Sequence, residues 1–170
     1  WAAYSIDTDR MIKKLAIPFF LLFCFHQVMA QVTIDSSYAN GYYRQRLDFF
    51  MKMPDRTHEI VFLCNSITEA GEWQELFAPQ KNVINRGISG DVSFGVIARL
   101  NEVLSSKPDQ IFLLICINDL KRGQPKALLL RNYERIFRRI KDSSPKTKLI
   151  VQSILPINEA MISNGYKRIT

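Results

Sequence analysis

Reactive and metal-binding side chains are few in this chain: 170 residues carry three cysteines and two histidines. Cys24 falls in a segment read below as removable, which leaves Cys64 and Cys116. Two cysteines cannot build a disulfide scaffold or a zinc cage, and neither sits at metal-ligand spacing. There are no internal repeats and no low-complexity tracts, which excludes repeat architectures. The N-terminal apolar run, Leu15 to Phe25, has 11 residues, whereas a membrane-spanning helix needs about 20.

That short run fits a different role. Met11-Ile12-Lys13-Lys14 before it is basic, and Val28-Met29-Ala30 after it supplies small residues before Gln31. The pattern reads as a secretory signal peptide over residues 11–30, cut after Ala30. Residues 1–10 read as an upstream extension with no targeting logic. The expectation is a secreted or periplasmic protein with no stable membrane span after signal removal, in a compartment where disulfides persist.

Negative charge is thin where positive charge is dense. The net charge is +7, and between Lys121 and Lys148 ten Lys or Arg face only Glu134 and Asp142. Leu129, Tyr133, Ile136, Phe137 and Ile140 recur there at helical spacing, which puts Arg131, Arg135, Arg138 and Arg139 mostly on the other side. A nucleic-acid surface is one reading. Export and the absence of interleaved exposed aromatics favour a solvated helix face, so no nucleic-acid partner is expected.

What is there, from Gln31 onward, is enough chain for one domain with a real core. A helix is predicted from about Tyr38 to Met53, ended by Pro54. Strand one is Ile60 to Cys64, and a short helix runs from about Glu72 to Phe77. Val83-Ile84 forms a second strand leading into a loop with Gly87 and Gly90. Asp91 is a good N-cap for a helix over Val92 to Leu104. Ile111 to Ile115 is strand three, the basic helix follows, and Lys148 to Leu155 is strand four. Alternating strands and helices, with strands that are continuous apolar runs, predict an α/β fold with a mostly parallel sheet covered on both faces.

Polar clusters follow strands one, two and three: Asn65-Ser66, Gly87 to Asp91, and Asn118-Asp119. In a parallel sheet all of them project from one edge. A serine beside an amide side chain and a glycine loop can build acyl-transfer chemistry, the hydroxyl attacking while N–H groups meet the developing oxyanion. Each cluster also has a plain explanation: Ser66 as a helix cap, Gly90 as a turn glycine, Asn118 as a strand-end turn residue. Their coincidence on one edge favours the chemical reading.

These blocks resemble the SGNH (GDSL-type) hydrolases. "FLCNSITEAGEW" is similar to that family's first block, "NRGISGD" to its second and "LLICINDL" to its third, over about Glu59 to Leu155. The resemblance implies a flavodoxin-like three-layer α/β/α sandwich and an SGNH hydrolase-type domain over residues 31–170. It implies Ser66 as nucleophile, with an oxyanion hole from the backbone N–H of Ser66, the backbone N–H of Gly90 and the side-chain amide of Asn118. No metal or organic cofactor is implied. The expected partner is a small-molecule or glycan ester, O-acetylated carbohydrate being the preferred class. A lysophospholipase or lipase-type esterase and a non-catalytic binding module on a decayed hydrolase fold are the alternatives.

Departures from the family pattern are specific. Cys64 and Cys116 stand two residues before the serine and the asparagine, where the family usually has glycine. If strands one and three are neighbours, these cysteines occupy matching positions with Cα atoms within roughly 8 Å. A strained disulfide and a pair of packed thiols both fit that placement. The family's general base is a histidine in a late Asp-x-x-His block, and the sequence stops before one, so the domain is expected to be incomplete by its last strand and helix. His26 falls in the signal peptide. His58 precedes strand one at the end away from Ser66, on the order of 15 Å off by strand geometry, and is given no catalytic role.

Overall fold

The computed structural model describes residues 34–79 and 82–154. The upstream extension (1–10), the signal peptide (11–30) and everything after residue 154 lie outside the described residues. The elements in order are α1 Gly41–Lys52, β1 Ile60–Cys64, α2 Ser66–Glu69, α3 Trp73–Leu76, β2 Val83–Gly87, α4 Ser93–Ser105, β3 Gln110–Leu114, α5 Ile117–Lys121, α6 Lys126–Ser143 and β4 Lys148–Val151.

The strands form one sheet in the order β2-β1-β3-β4, and every pairing is parallel. The chain therefore steps out from β1 to β2, then crosses back over β1 to reach β3. That is a doubly wound order, which leaves its ligand crevice at the carboxyl ends of the strands. Register sets those ends side by side: Cys64 lies opposite Gly87 on one side and Leu114 on the other.

Side-chain alternation divides the sheet's apolar load between two faces. Val61, Leu63, Ile111 and Leu113 point to one face, where Val96, Ile97, Leu100 and Val103 of α4 and Ile136 and Ile140 of α6 bury them. Each fully buried aliphatic side chain here contributes about 1.5–3 kcal/mol. Phe62 and Phe112 point the other way, stacked at 4.9 Å and 7°. Trp73 stacks on Phe62 at 4.2 Å and 11°, so α3 covers this second face. Helices on both faces of a parallel sheet make the α/β/α layering that the sequence predicts.

Several boundaries shift for local reasons. The first helix begins at Gly41 because Asn40 caps it, accepting from the Tyr43 N–H at 2.9 Å. Tyr38 stays outside, edge-on to Tyr43. The second strand runs on to Gly87, since Asn85 and Arg86 pair with β1 despite their polarity. Asp91 does not cap α4 as expected: its Oδ1 accepts from the neighbouring Val92 N–H at 2.9 Å, and its Oδ2 is paired with Arg99. A short helix, α5, intervenes before the basic helix, and the fourth strand ends at Val151. On α6, Arg131 and Arg138 are exposed as expected, but Arg139 reaches back to donate to the Ile97 carbonyl at 2.6 Å.

Candidate active site

Ser66 heads α2 without serving as its cap. Asn65 does that work: its side-chain oxygen accepts from the Ile67 N–H at 3.1 Å, and the residue is 1% exposed. The helix-cap reading of Ser66 is thereby removed, and the serine is left exposed directly after β1. Asn85 on β2 fixes the other end of α2, its amide donating to the Thr68 carbonyl at 3.0 Å and the Glu69 carbonyl at 3.2 Å.

The β2 end comes unusually close to this turn. A Cβ on Gly87 would lie 2.2 Å from the Glu69 nitrogen and 2.9 Å from the Asn65 oxygen, so only glycine allows the approach. The following loop closes as a turn, with the Asp91 N–H donating to the Ile88 carbonyl at 3.1 Å. Gly90 has φ +79, a conformation that costs L side chains energy and glycine little. Its carbonyl accepts from Arg122 Nη2 at 2.9 Å. The same arginine donates to Ser37 and lies 3.6 Å from the Asp35 carboxylate.

Glu69 ties the serine turn to this loop. It accepts from the Ser89 N–H at 2.6 Å, the Ser89 and Tyr42 hydroxyls, and pairs with Arg46 at 3.0 Å. Burial pushes its carboxyl up, but the Ser89 and Tyr42 bonds and the Arg46 charge outweigh that and hold it below the ordinary value.

The third cluster arrives from β3. Asn118 sits on α5, half-buried, and its Nδ2 donates to the Asp91 carbonyl at 2.8 Å. An amide NH₂ has two donors, and this bond uses one of them. Asp119, 2% exposed, accepts from the Ser93 N–H at 3.0 Å and from its hydroxyl. Asp119 thus supplies from another element the α4 cap expected of Asp91. Burial pushes the Asp119 carboxyl up, opposed by the Ser93 bonds.

Both cysteines are buried and free. Their expected matching positions are off by two residues, since Cys64 pairs with Leu114 and Cys116 lies beyond the strand. Burial pushes both thiols up, Cys116 to about 11, with Asp119 and Cys64 adding to its shift. Cys116 has φ 141, a backbone conformation that favours glycine. His58 is exposed, 2.9 Å from Asp109 at the amino-terminal edge of the sheet, far from the serine turn as expected. Among the described residues, no group of three His, Cys, Asp or Glu could hold a metal, and no helix is long and apolar enough to cross a membrane.

Sequence reasoning placed Asp119 in the third polar cluster but gave it no role, and it missed Glu69, Arg99 and Arg122 as builders of this edge. Of these three, Arg99 left a signal: a charge inside Val96-Ile97-Ala98-Arg99-Leu100, which is otherwise apolar. Glu69 and Arg122 look like ordinary surface charges until the fold brings their partners to them.

Residues 62–168 match the family model described as the GDSL-like Lipase/Acylhydrolase family, so the chain belongs to that family. A Streptococcus pneumonia structure described as a candidate platelet activating factor is 30% identical, with a TM-score of 0.65. The match covers 71% of this chain and 58% of that one. A GDSL-like lipase from Bacteroides thetaiotaomicron is 23% identical with a TM-score of 0.56, over 67% of this chain and 58% of that one. A candidate acylhydrolase from Bacteroides fragilis is also 23% identical, with a TM-score of 0.51 over 69% and 58% of the two chains. The latter two show likeness of fold. No curated protein matches the sequence.

Proposed function

We propose that this member of the GDSL-like lipase/acylhydrolase family is an exported serine esterase, with Ser66 as nucleophile. The observation that carries the reading is the 2.8 Å bond from Asn118 Nδ2 to the Asp91 carbonyl. It anchors the Asn118 amide, on α5 just after β3, to the loop whose Gly90 N–H is the second oxyanion donor, across from the exposed serine at the start of α2. Ser66 Oγ attacks the ester carbonyl carbon while its proton passes to a histidine. The carbonyl oxygen takes the negative charge and is met by the N–H groups of Ser66 and Gly90 and the second amide N–H of Asn118. Collapse expels the alcohol and leaves an acyl-enzyme, which water then hydrolyses to the acid. The histidine belongs to the family's late Asp-x-x-His block, and His58 is excluded by its place at the opposite sheet edge.

The substrate class we propose is O-acetylated carbohydrate. The border of the Gly90 loop supports it: the exposed Tyr42, Ser89 and Arg122, held by Glu69 and the Gly90 carbonyl, give a polar rim suited to sugar hydroxyls rather than to an acyl chain. The test is turnover of p-nitrophenyl acetate, acetylated xylan and a lysophospholipid by the full-length protein and by Ser66→Ala and Asn118→Ala. Acetate release from xylan, lost in Ser66→Ala and reduced about 10²–10³-fold in kcat by Asn118→Ala, is the expected result. Preference for the lysophospholipid would overturn the substrate class. Turnover indifferent to Ser66 would overturn the mechanism, and no turnover of any ester would favour the decayed binding module, to which Cys116 at a glycine-like φ already lends weight.

A further inference from the structure

Arg99 is a charged residue in the middle of the core. It is 1% exposed, on the α4 stretch where Val96, Ile97 and Leu100 are also buried. Arginine is almost never buried so completely unless paired, and its partner here is Asp91, equally buried. Nε and Nη2 both lie 2.9 Å from Asp91 Oδ2, with both side chains 0% exposed. Nη2 also donates to the Cys64 carbonyl at 3.1 Å. Nη1 is buried without a hydrogen-bond partner among the described residues.

Stability alone does not account for this arrangement. Desolvating two charges is costly, and an apolar pair of the same volume is often as stable or more so. An orphaned guanidinium nitrogen adds to the cost. What the pair does supply is a closed ring of bonds joining the end of β1, the Gly90 loop and α4. The Cys64 carbonyl, two residues before Ser66, accepts from both Arg99 and the Ile88 N–H at 3.1 Å. Ile88 returns the link by accepting from the Asp91 N–H at 3.1 Å. The Asp91 carbonyl, in turn, receives the Asn118 amide at 2.8 Å.

We propose that Arg99 is a positioning residue: through Asp91 and the Cys64 carbonyl it sets the Gly90 loop against the end of β1, so that the Ser66, Gly90 and Asn118 donors converge on one oxyanion position. This rests on the acyl-transfer reading above. Arg99 touches no substrate, and its effect is on the spacing of groups that do. A misplacement of about 1 Å is enough to cost on the order of 100-fold in rate.

The experiment compares the full-length wild type with Ser66→Ala, Arg99→Lys, Arg99→Met and, as control, Arg138→Met on the exposed face of α6. For each, kcat and KM for p-nitrophenyl acetate are measured per folded molecule, together with inhibition by phenylboronic acid, which forms a tetrahedral adduct on a serine. Lysine keeps the charge but cannot span Asp91 and the Cys64 carbonyl in the same fork. We expect Arg99→Lys to fold, lose about 10- to 100-fold in kcat with KM within about twofold, and bind the boronate correspondingly less well. Arg138→Met should match wild type. If Arg99→Met fails to fold, Arg99→Lys decides. Failure of both to fold would overturn the proposal, because the pair would then be a requirement for folding. Lowered thermal stability with unchanged kcat and boronate affinity would also overturn it. Wild-type turnover that survives Ser66→Ala would instead overturn the acyl-transfer reading, and the proposal with it.

Discussion

Removing the Asp119 carboxylate should destabilise the domain far more than its place next to a surface helix suggests. In Asp119→Ala the Ser93 N–H, at 3.0 Å, and the Ser93 hydroxyl both lose their acceptor at the first residue of α4. Asn132 still donates to the Ser93 oxygen at 2.8 Å, so the hydroxyl keeps a donor and has nothing to give its own proton to. Each buried donor left unsatisfied costs about 1–3 kcal/mol, and loss of a helix cap alone costs about 1 kcal/mol. The burial penalty that pushes the Asp119 carboxyl up is relieved at the same time, which offsets part of this. The net expectation is a loss of about 2–4 kcal/mol. For a domain of this size that lowers Tm by about 4–16 °C. Asp119→Asn keeps an oxygen acceptor and should lose only about 1 kcal/mol. Thermal melts followed by circular dichroism, with chemical denaturation to check the slope, measure both. If Asp119→Ala melts within about 2 °C of wild type, Asp119 does not cap α4 in solution. If Asn is as damaging as Ala, the charge matters and the acceptor does not.

Glu69 should give the fold an acid-sensitive component. Its carboxyl is held below the ordinary 4.5, so the unfolded chain binds the proton first as pH falls, and the stabilisation present above 4.5 is lost through the folded value. The Tm gap between wild type and Glu69→Gln, open at pH 7, should therefore shrink on acidification, and a gap constant down to about pH 3 would contradict this. Cys64 and Cys116, buried and with raised thiol pKa values, should resist a thiol reagent at pH 8 until the protein is unfolded. Peptide mapping showing either one modified within minutes in the native state, or the two joined, would count against the free buried pair. At Cys116 the usual order of substitution should invert: with φ 141, Gly should be more stable than Ala by roughly 1 kcal/mol or more. An Ala variant as stable as Gly would show that the backbone there is unstrained.

The sequence by itself determined the layers and the edge where chemistry gathers. Ile60 to Leu63 and Ile111 to Leu114 are apolar without alternation, and only a strand covered on both faces tolerates that. Ser66, Gly90 and Asn118 follow successive strands, so a parallel sheet places them at one end whatever the details. Local signals also placed α1 to within a few residues and gave α6 its helical character, because a proline stop and amphipathic spacing act over single turns. Register was beyond reach: Cys64 faces Leu114 rather than Cys116, an offset set by the whole ladder and by no residue near either cysteine. Capping roles moved for the same reason. Asn65, not Ser66, caps α2, and Asp119 caps α4 from 26 residues away in sequence. Tertiary structure decided how the Asp91 carboxylate is shared: Oδ1 accepts from the local Val92 N–H at 2.9 Å, while Oδ2 takes the Arg99 guanidinium eight residues on. The two side chains are stripped of water only because the sheet and α6 bury this face of α4. That burial, which no local signal carries, is what makes the pairing obligatory.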